Sequence, residues 1–139
     1  MPKRIFIDTG AFLALEDASD KYHEAAIRFR EQKLLPDRYE IITTSYILDE
    51  TLTLIRSRLS IKASVDFSKR IRQSQIVKIL SVSKEIEDKA LDMFEKFDDK
   101  VFSFTDCVSF VVMRELDIQD VFTFDEDFVQ VGMGFSKVP

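Results

Sequence analysis

Four acidic side chains each adjoin a different apolar segment of this chain, and a fold that buries those segments has to accommodate all four carboxylates. Ionised carboxylates are almost never fully buried unless they are paired or bound to a metal ion. Because each acid belongs to a separate core element, we expect the four to converge on one cluster that holds divalent cations. They are Asp8, Glu50, Asp106 and Asp125.

Two of these acids follow predicted strands. Asp8 ends the apolar run 5–7, and Asp125 follows the apolar segment 121–124. Asp8 taken alone has a simpler explanation, because an aspartate after a strand can cap the following helix. Asp125 could instead belong to an exposed acidic turn with Asp127. Asp125 stands closer to the strand end, so we predict it as the ligand and Asp127 as its support.

The other two acids are placed on helices. Glu50 shares a helical face with Ile47 and Leu54, where a charged group costs free energy unless something compensates it. Its neighbour Asp49 falls on a more polar side and is read as solvated. Asp106 opens a strongly apolar helix, where an acid is also favoured by the helix dipole. A helix this apolar is expected to be central, so its first turn should be enclosed.

The remaining pattern alternates strands with helices, which predicts an α/β fold with a mainly parallel sheet. In such sheets ligands collect at the carboxyl ends of the strands, which places the acids after strands on one edge. We expect helix caps at Ser19 or Asp20, at Ser45 and at Ser83. The predicted strands are 3–7, 40–44, 76–80 and 121–124, with an edge strand at 131–135, and the predicted helices are 11–15, 20–33, 45–59, 61–73, 83–97 and 105–116.

Length and composition are those of one domain, 1–139, with a sizeable core: 45% of the residues are hydrophobic and 13 are Phe. No apolar stretch approaches the roughly 20 residues of a membrane span, and no signal peptide is recognisable. Cys107 is the only cysteine and His23 the only histidine, which excludes an internal disulfide and a cysteine zinc site. Together these features predict a cytoplasmic protein.

The net charge of −5 hides an asymmetry. Segment 51–80 carries seven basic residues against one acid, a net charge of +6, so the rest of the chain carries −11. One interpretation is a solvated helical face, and another is a track for a phosphate backbone beside an acidic site. The predicted RNA-contacting residues in this segment are Arg56, Arg58, Lys62, Lys69, Arg70 and Arg72.

The ordered set of motifs resembles the PIN domain family, and most closely its compact VapC-type toxins of toxin–antitoxin pairs. The segments that carry the resemblance are 5–9, 44–50, 104–106 and 121–128. The resemblance implies a three-layer α/β/α sandwich around a parallel sheet of four to five strands and a Mg²⁺- or Mn²⁺-dependent ribonuclease. It also implies a homodimer and an antitoxin protein that blocks the site. Asp8, Glu50, Asp106 and Asp125 match the family's metal-binding acids, with Thr9, Thr123 and Asp127 as supporting residues.

Several other functions compete with that of a metal-dependent nuclease. A haloacid dehalogenase-type phosphatase needs a second aspartate where Gly10 stands, and a receiver domain needs paired acids near the N-terminus. Neither explains Glu50 on its apolar stripe. A protein that keeps the fold without catalysis, or an RNA-processing family member without an antitoxin, stays open. Cleavage of RNA with Mn²⁺, lost on adding chelator, separates these alternatives.

Overall fold

The computed structural model describes residues 3–139 and shows a five-stranded parallel sheet in the order β3-β2-β1-β4-β5. The predicted fold class is therefore confirmed. None of the described helices is both long and apolar enough to cross a bilayer. The strands are β1 Arg4–Ile7, β2 Glu40–Thr44, β3 Val77–Leu80, β4 Asp120–Phe122 and β5 Ser136–Val138, and the helices are α1 Thr9–Glu16, α2 His23–Phe29, α3 Ser45–Arg58, α4 Ile61–Gln73, α5 Lys84–Lys96, α6 Phe104–Glu115 and α7 Asp127–Gln130.

The strand order creates a switch point between β1 and β4. The chain moves outward from β1 to β2 and β3, then returns to the other side of β1 to form β4 and β5. Because parallel crossovers are right-handed, the helices before and after the return lie on opposite faces of the sheet. Ligand sites of open α/β sheets lie at such a switch point, outside the carboxyl ends of the strands.

Aromatic side chains of adjacent strands fill the two faces of the sheet. Phe6 of β1 packs 6.4 Å from Phe128, whose ring is 5.1 Å from Phe110 of α6. Phe122 of β4 packs 4.8 Å from Phe29 of α2 on the other side. All of these rings except that of Phe29 are buried. The buried centre holds β1 and β4 in place, and with them the chain segments that follow these strands.

Four local predictions were wrong. The edge strand forms at Ser136–Val138 instead of 131–135, because Gly132 and Gly134 adopt φ of 70° and 82°, which break an extended strand. Helix α2 begins at His23 with no side-chain cap, since Asp20 instead accepts the Tyr22 N–H in the preceding turn (2.8 Å).

The helix predicted to run to residue 33 changes after Phe29 into a wider π-helical turn. The cap of α3 is Thr44, one residue before the predicted Ser45, and its hydroxyl accepts the Ile47 N–H (3.1 Å). Ser83 caps α5 as predicted.

Candidate metal centre

Asp8 lies at the switch point, directly after β1, and is 7% exposed. Its Oδ1 accepts the Ala11 N–H (3.1 Å), so the capping role that the sequence left open is real. Its Oδ2 accepts the Thr123 hydroxyl (2.7 Å), and the same hydroxyl oxygen accepts the Asp125 N–H (3.0 Å). Thr123 therefore connects the segment after β4 to the carboxylate after β1.

Burial raises the pKa of Asp8 to about 6, although the hydrogen bonds from Thr123 and Ala11 act in the opposite direction. The charges of Asp125 and Glu50 raise this pKa further. Asp8 is thus close enough to Asp125 and Glu50 for each of their charges to disfavour its ionised form. A bound cation would relieve this cost, because it favours the ionised form of each carboxylate.

Asp106 sits in the first turn of α6 and forms a reciprocal cap with Ser103. The Ser103 hydroxyl accepts the Asp106 N–H, and Asp106 Oδ2 accepts the Ser103 N–H, both at 3.0 Å. Burial raises the pKa of Asp106 to about 7, with further increases from Asp127 and from the charge of Asp125. Sequence reasoning did not identify Ser103, although a serine three residues before an acid is a recognisable capping pattern.

The closest acidic group comprises Asp106, Asp125 and Asp127, each of which offers a carboxylate oxygen within 4.8 Å of the others. Asp125 Oδ1 accepts the Asp127 N–H (2.9 Å), which orients the two side chains after β4. Burial and the charge of Asp125 raise the pKa of Asp127. Asp127, predicted only to support Asp125, thus also has a carboxylate oxygen within 4.8 Å of one of Asp106.

Glu50 is half-buried on α3, whereas its neighbour Asp49 is exposed. Among residues 3–139 the Glu50 carboxylate has no hydrogen bond or ion pair with another side chain. Thr9, 6% exposed, has a buried hydroxyl that likewise lacks a partner in the described part of the chain. A buried hydroxyl without a partner is costly unless a ligand or water uses it.

The ligand atoms that this site offers suit a hard divalent cation. They are carboxylate and hydroxyl oxygens, which Mg²⁺ and Mn²⁺ prefer over nitrogen or sulfur. His23 is occupied elsewhere, with its Nδ1 2.7 Å from the Ala14 carbonyl oxygen. Cys107 is buried and its pKa is raised to about 11, first by burial and then by the charge of Asp106.

The six predicted RNA-contacting residues do not form one continuous surface of free charges. Arg58 pairs with Asp20 (3.1 Å) and lines a cavity together with Asp125. Two others pair with nearby acids: Lys62 with Asp66 and Arg70 with Glu16. Arg56, Lys69 and Arg72 form no ion pair within residues 3–139, and the first two line a groove between α3 and α4.

Comparisons with known proteins identify the family of this chain. The family model described as "PIN domain" matches residues 5–133. The chain is 35% identical to the 23S rRNA-specific endonuclease VapC20 of Mycobacterium tuberculosis over 92% of this chain and 94% of that protein. It is 32% identical to a VapC ribonuclease of Archaeoglobus fulgidus over 88% of this chain and 77% of that protein.

Solved structures show the same fold. The crystal structure of M. tuberculosis VapC20, a sarcin–ricin loop cleaving toxin, superimposes with a TM-score of 0.86 at 34% identity, covering 96% of this chain and 98% of that one. FitAcB of Neisseria gonorrhoeae gives a TM-score of 0.69 at 13% identity, covering 97% and 96% of the two chains, and shows the fold alone. The resemblance inferred from the sequence is confirmed: this chain belongs to the PIN domain family, and its relatives are VapC ribonucleases.

Proposed function

We propose that this protein is a Mg²⁺- or Mn²⁺-dependent endoribonuclease and the toxin of a toxin–antitoxin pair, acting in the cytoplasm through one nuclease domain, 1–139. The observation that carries the proposal is the convergence of acids from four parts of the chain at the switch point of a PIN fold. Without a cation these groups repel one another, so the arrangement is costly unless it serves metal binding.

The side chains have distinct tasks in this proposal. Asp106, Asp125 and Asp127 hold the cation, while Asp8 and Glu50 complete the negative surface around it. A divalent cation bound there supplies Lewis-acid chemistry, lowering the pKa of water and neutralising charge that develops on the phosphate. Thr123 and Ala11 fix the orientation of Asp8 by hydrogen bonds.

The substrate we propose is a looped or single-stranded RNA, whose backbone can bend into an acidic site. The relatives' names direct the first test to 23S rRNA and its sarcin–ricin loop. Arg56, Lys69 and Arg72 are the best candidates for phosphate contacts, because none of them forms an ion pair within residues 3–139.

The test is cleavage of a hairpin RNA that carries the sarcin–ricin loop, with total RNA in parallel. We expect cleavage with added Mn²⁺, its loss with excess chelator and its return when Mn²⁺ is restored. An Asp106→Asn protein purified in the same way controls for contaminating nuclease. Cleavage that persists in chelator, or that the variant retains in full, would contradict the proposal.

Replacing Thr123 with valine should weaken Mn²⁺ binding by roughly 10- to 100-fold, the usual effect of removing a residue that orients a metal ligand. The valine loses the hydroxyl that donates to Asp8 Oδ2 and accepts the Asp125 N–H. Isothermal titration with Mn²⁺ measures the change.

Thr43→Val is the matched control, because Thr43 is equally buried and its hydroxyl donates to the Ile7 carbonyl on the adjacent strand (3.1 Å) without touching an acid. If both valine variants bind Mn²⁺ as tightly as the wild type, Thr123 does not position the site.

We also propose a homodimer and an antitoxin as partners. Apolar side chains that a second copy could cover are exposed on and after α5: Leu91 is 55% exposed, Phe94 45% and Val101 98%. A short gene directly upstream that encodes a DNA-binding protein would identify the antitoxin. Its product should co-purify with this chain and suppress RNA cleavage.

A further inference from the structure

A cavity of about 490 Å³ opens beside the acidic cluster and shares Asp125 with it. Its volume falls in the range of about 300–1,000 Å³ that is typical of ligand pockets. We call it the aromatic pocket. Its principal lining residues are Gly10, Lys21, Tyr22, Arg58, Phe124 and Asp125.

Two stacked rings form one wall of the aromatic pocket. Tyr22 lies parallel to Phe124, with ring centroids 4.5 Å apart and an interplanar angle of 2°. Tyr22 is 38% exposed, and the Lys21 ammonium lies 4.9 Å from the centre of its ring. Because the lysine side chain is flexible and exposed, an aromatic ligand can displace it at little cost. The displaced ammonium is then available to a phosphate.

The charges of the aromatic pocket suit a base better than a phosphate. Two of its acids, Asp20 and Glu126, pair with Arg58 (3.1 Å) and Lys137 (3.1 Å) respectively, whereas the third, Asp125, has no ion pair among residues 3–139. One guanidinium nitrogen of Arg58 holds this hydrogen bond, and the other N–H donors of the same group have no hydrogen-bond partner among residues 3–139. A nucleobase offers acceptors to these donors and N–H groups to the carboxylates, whereas a phosphate would be repelled by the carboxylates.

Gly10 separates the aromatic pocket from Asp8. It lines the cavity, and a Cβ added to it would meet only Asp8 Oδ1, at 3.8 Å. Because Gly10 has no side chain, no side-chain atoms project between the pocket and the acids at this position. A nucleic-acid backbone can therefore approach closely enough to contact both.

We propose that the aromatic pocket holds an unpaired RNA base next to the scissile phosphate, stacked on Tyr22, while the backbone crosses Gly10 to the acids. This inference rests on the proposed ribonuclease function and assigns the pocket to its substrate. Stacking on aromatic side chains contributes to single-stranded RNA binding regardless of sequence.

The test scans the sarcin–ricin hairpin with single abasic nucleotides and measures binding by fluorescence anisotropy. The Asp106→Asn background prevents cleavage during the measurement. We expect one loop position at which removing the base weakens binding roughly 5- to 100-fold, as for a stacked base. To the Tyr22→Leu variant, the same abasic RNA should bind as tightly as the intact RNA, because this variant already lacks the ring on which the base would stack.

Tyr22→Phe is the matched control, since it keeps the ring and should retain the wild-type abasic profile. A flat profile, an unchanged profile in Tyr22→Leu or an absence of RNA binding would overturn the inference. If Tyr22→Leu weakens binding of the antitoxin but not of RNA, the pocket binds a side chain of that protein, and the inference is overturned. Metal-dependent cleavage by the wild type is measured separately, so failure of the nuclease proposal can be distinguished from failure of the base-binding proposal.

Gly10→Ala tests the path of the backbone. The added methyl fits the fold, and alanine favours the helix, so the melting temperature should rise. RNA binding should fall while the stabilisation by Mn²⁺ alone stays unchanged. Wild-type RNA affinity in this variant would overturn the crossing at Gly10.

Discussion

Asp106→Asn should lower Mn²⁺-dependent RNA cleavage by about 1,000-fold or more, because cation binding supplies several kcal/mol of charge stabilisation in the transition state. The variant loses one of the three carboxylates whose oxygens lie within 4.8 Å of one another. We expect the same result for Asp8→Asn, which removes a carboxylate whose pKa is raised by burial and by the charges of Asp125 and Glu50.

The same substitution should stabilise the metal-free protein. The Asp106 carboxyl is enclosed beside Asp127 and Asp125, so its ionised form is unfavourable without a cation. Asparagine keeps an oxygen to accept the Ser103 N–H and therefore preserves the cap. Thermal unfolding in chelator should show a melting temperature above that of the wild type.

Asp49→Asn is the control for both measurements, because Asp49 is exposed on α3 next to Glu50. It should cleave RNA at the wild-type rate and melt at the wild-type temperature. Full cleavage activity in Asp106→Asn would remove this residue from the proposed centre. A melting temperature below that of the wild type would show that the charge of Asp106 does not destabilise the fold.

The second large effect is on the pH dependence of stability without metal. Asp8 has a folded pKa of about 6 against an ordinary value of 3.8. A raised carboxyl pKa means that the folded state binds the proton more tightly than the unfolded state. The stabilisation by this proton is complete below pH 3.8 and is lost as the pH rises through 6. At about 1.4 kcal/mol per pKa unit, Asp8 alone accounts for about 3 kcal/mol.

Urea unfolding in chelator between about pH 4 and pH 7.5 measures this loss as the difference between the wild type and Asp8→Asn. The difference is the informative quantity because other carboxyls act in the opposite direction. Hydrogen bonds from Ser19 lower the pKa of Asp17, and a bond from Lys62 lowers that of Asp66. Parallel stability curves for the wild type and Asp8→Asn would refute a buried, proton-binding Asp8.

Mn²⁺ should reverse this pH dependence, because the cation and the protons compete for the same carboxylates. Ligand binding to the folded state raises stability in proportion to the logarithm of ligand concentration over its dissociation constant. The Mn²⁺-induced rise in melting temperature should therefore be large near pH 8 and small near pH 5. An equal rise at both values would place the cation away from Asp8 and Asp106.

The fold was predictable because strong local signals agreed with it. Apolar runs at 5–7 and 121–124 predicted buried strands, which form at Arg4–Ile7 and Asp120–Phe122. Because these two strands are parallel neighbours, the acids that follow them lie at the same edge of the sheet. The edge strand was misplaced because the apolar spacing of 131–135 outweighed the two glycines. Their positive φ angles depend on a turn that only the folded chain defines.

The finer structure of the site could not be read from local sequence. From the sequence, Asp8 and Asp106 could each be a helix cap or a metal ligand. Both cap helices in the structure, and the capping role does not exclude metal binding by the same carboxylate. The stacking of Tyr22 on Phe124 joins residues about a hundred positions apart. No local periodicity reports such a contact, because it arises from the packing of α2 over the end of β4.

The distribution of the acids along the chain has a consequence during protein synthesis. β1 is made first but lies in the middle of the sheet, and its neighbour β4 is complete only at Phe122. The last acid, Asp127, follows a few residues later. A chain that has been synthesised only as far as α6 therefore lacks both Asp125 and Asp127 and cannot assemble the proposed centre.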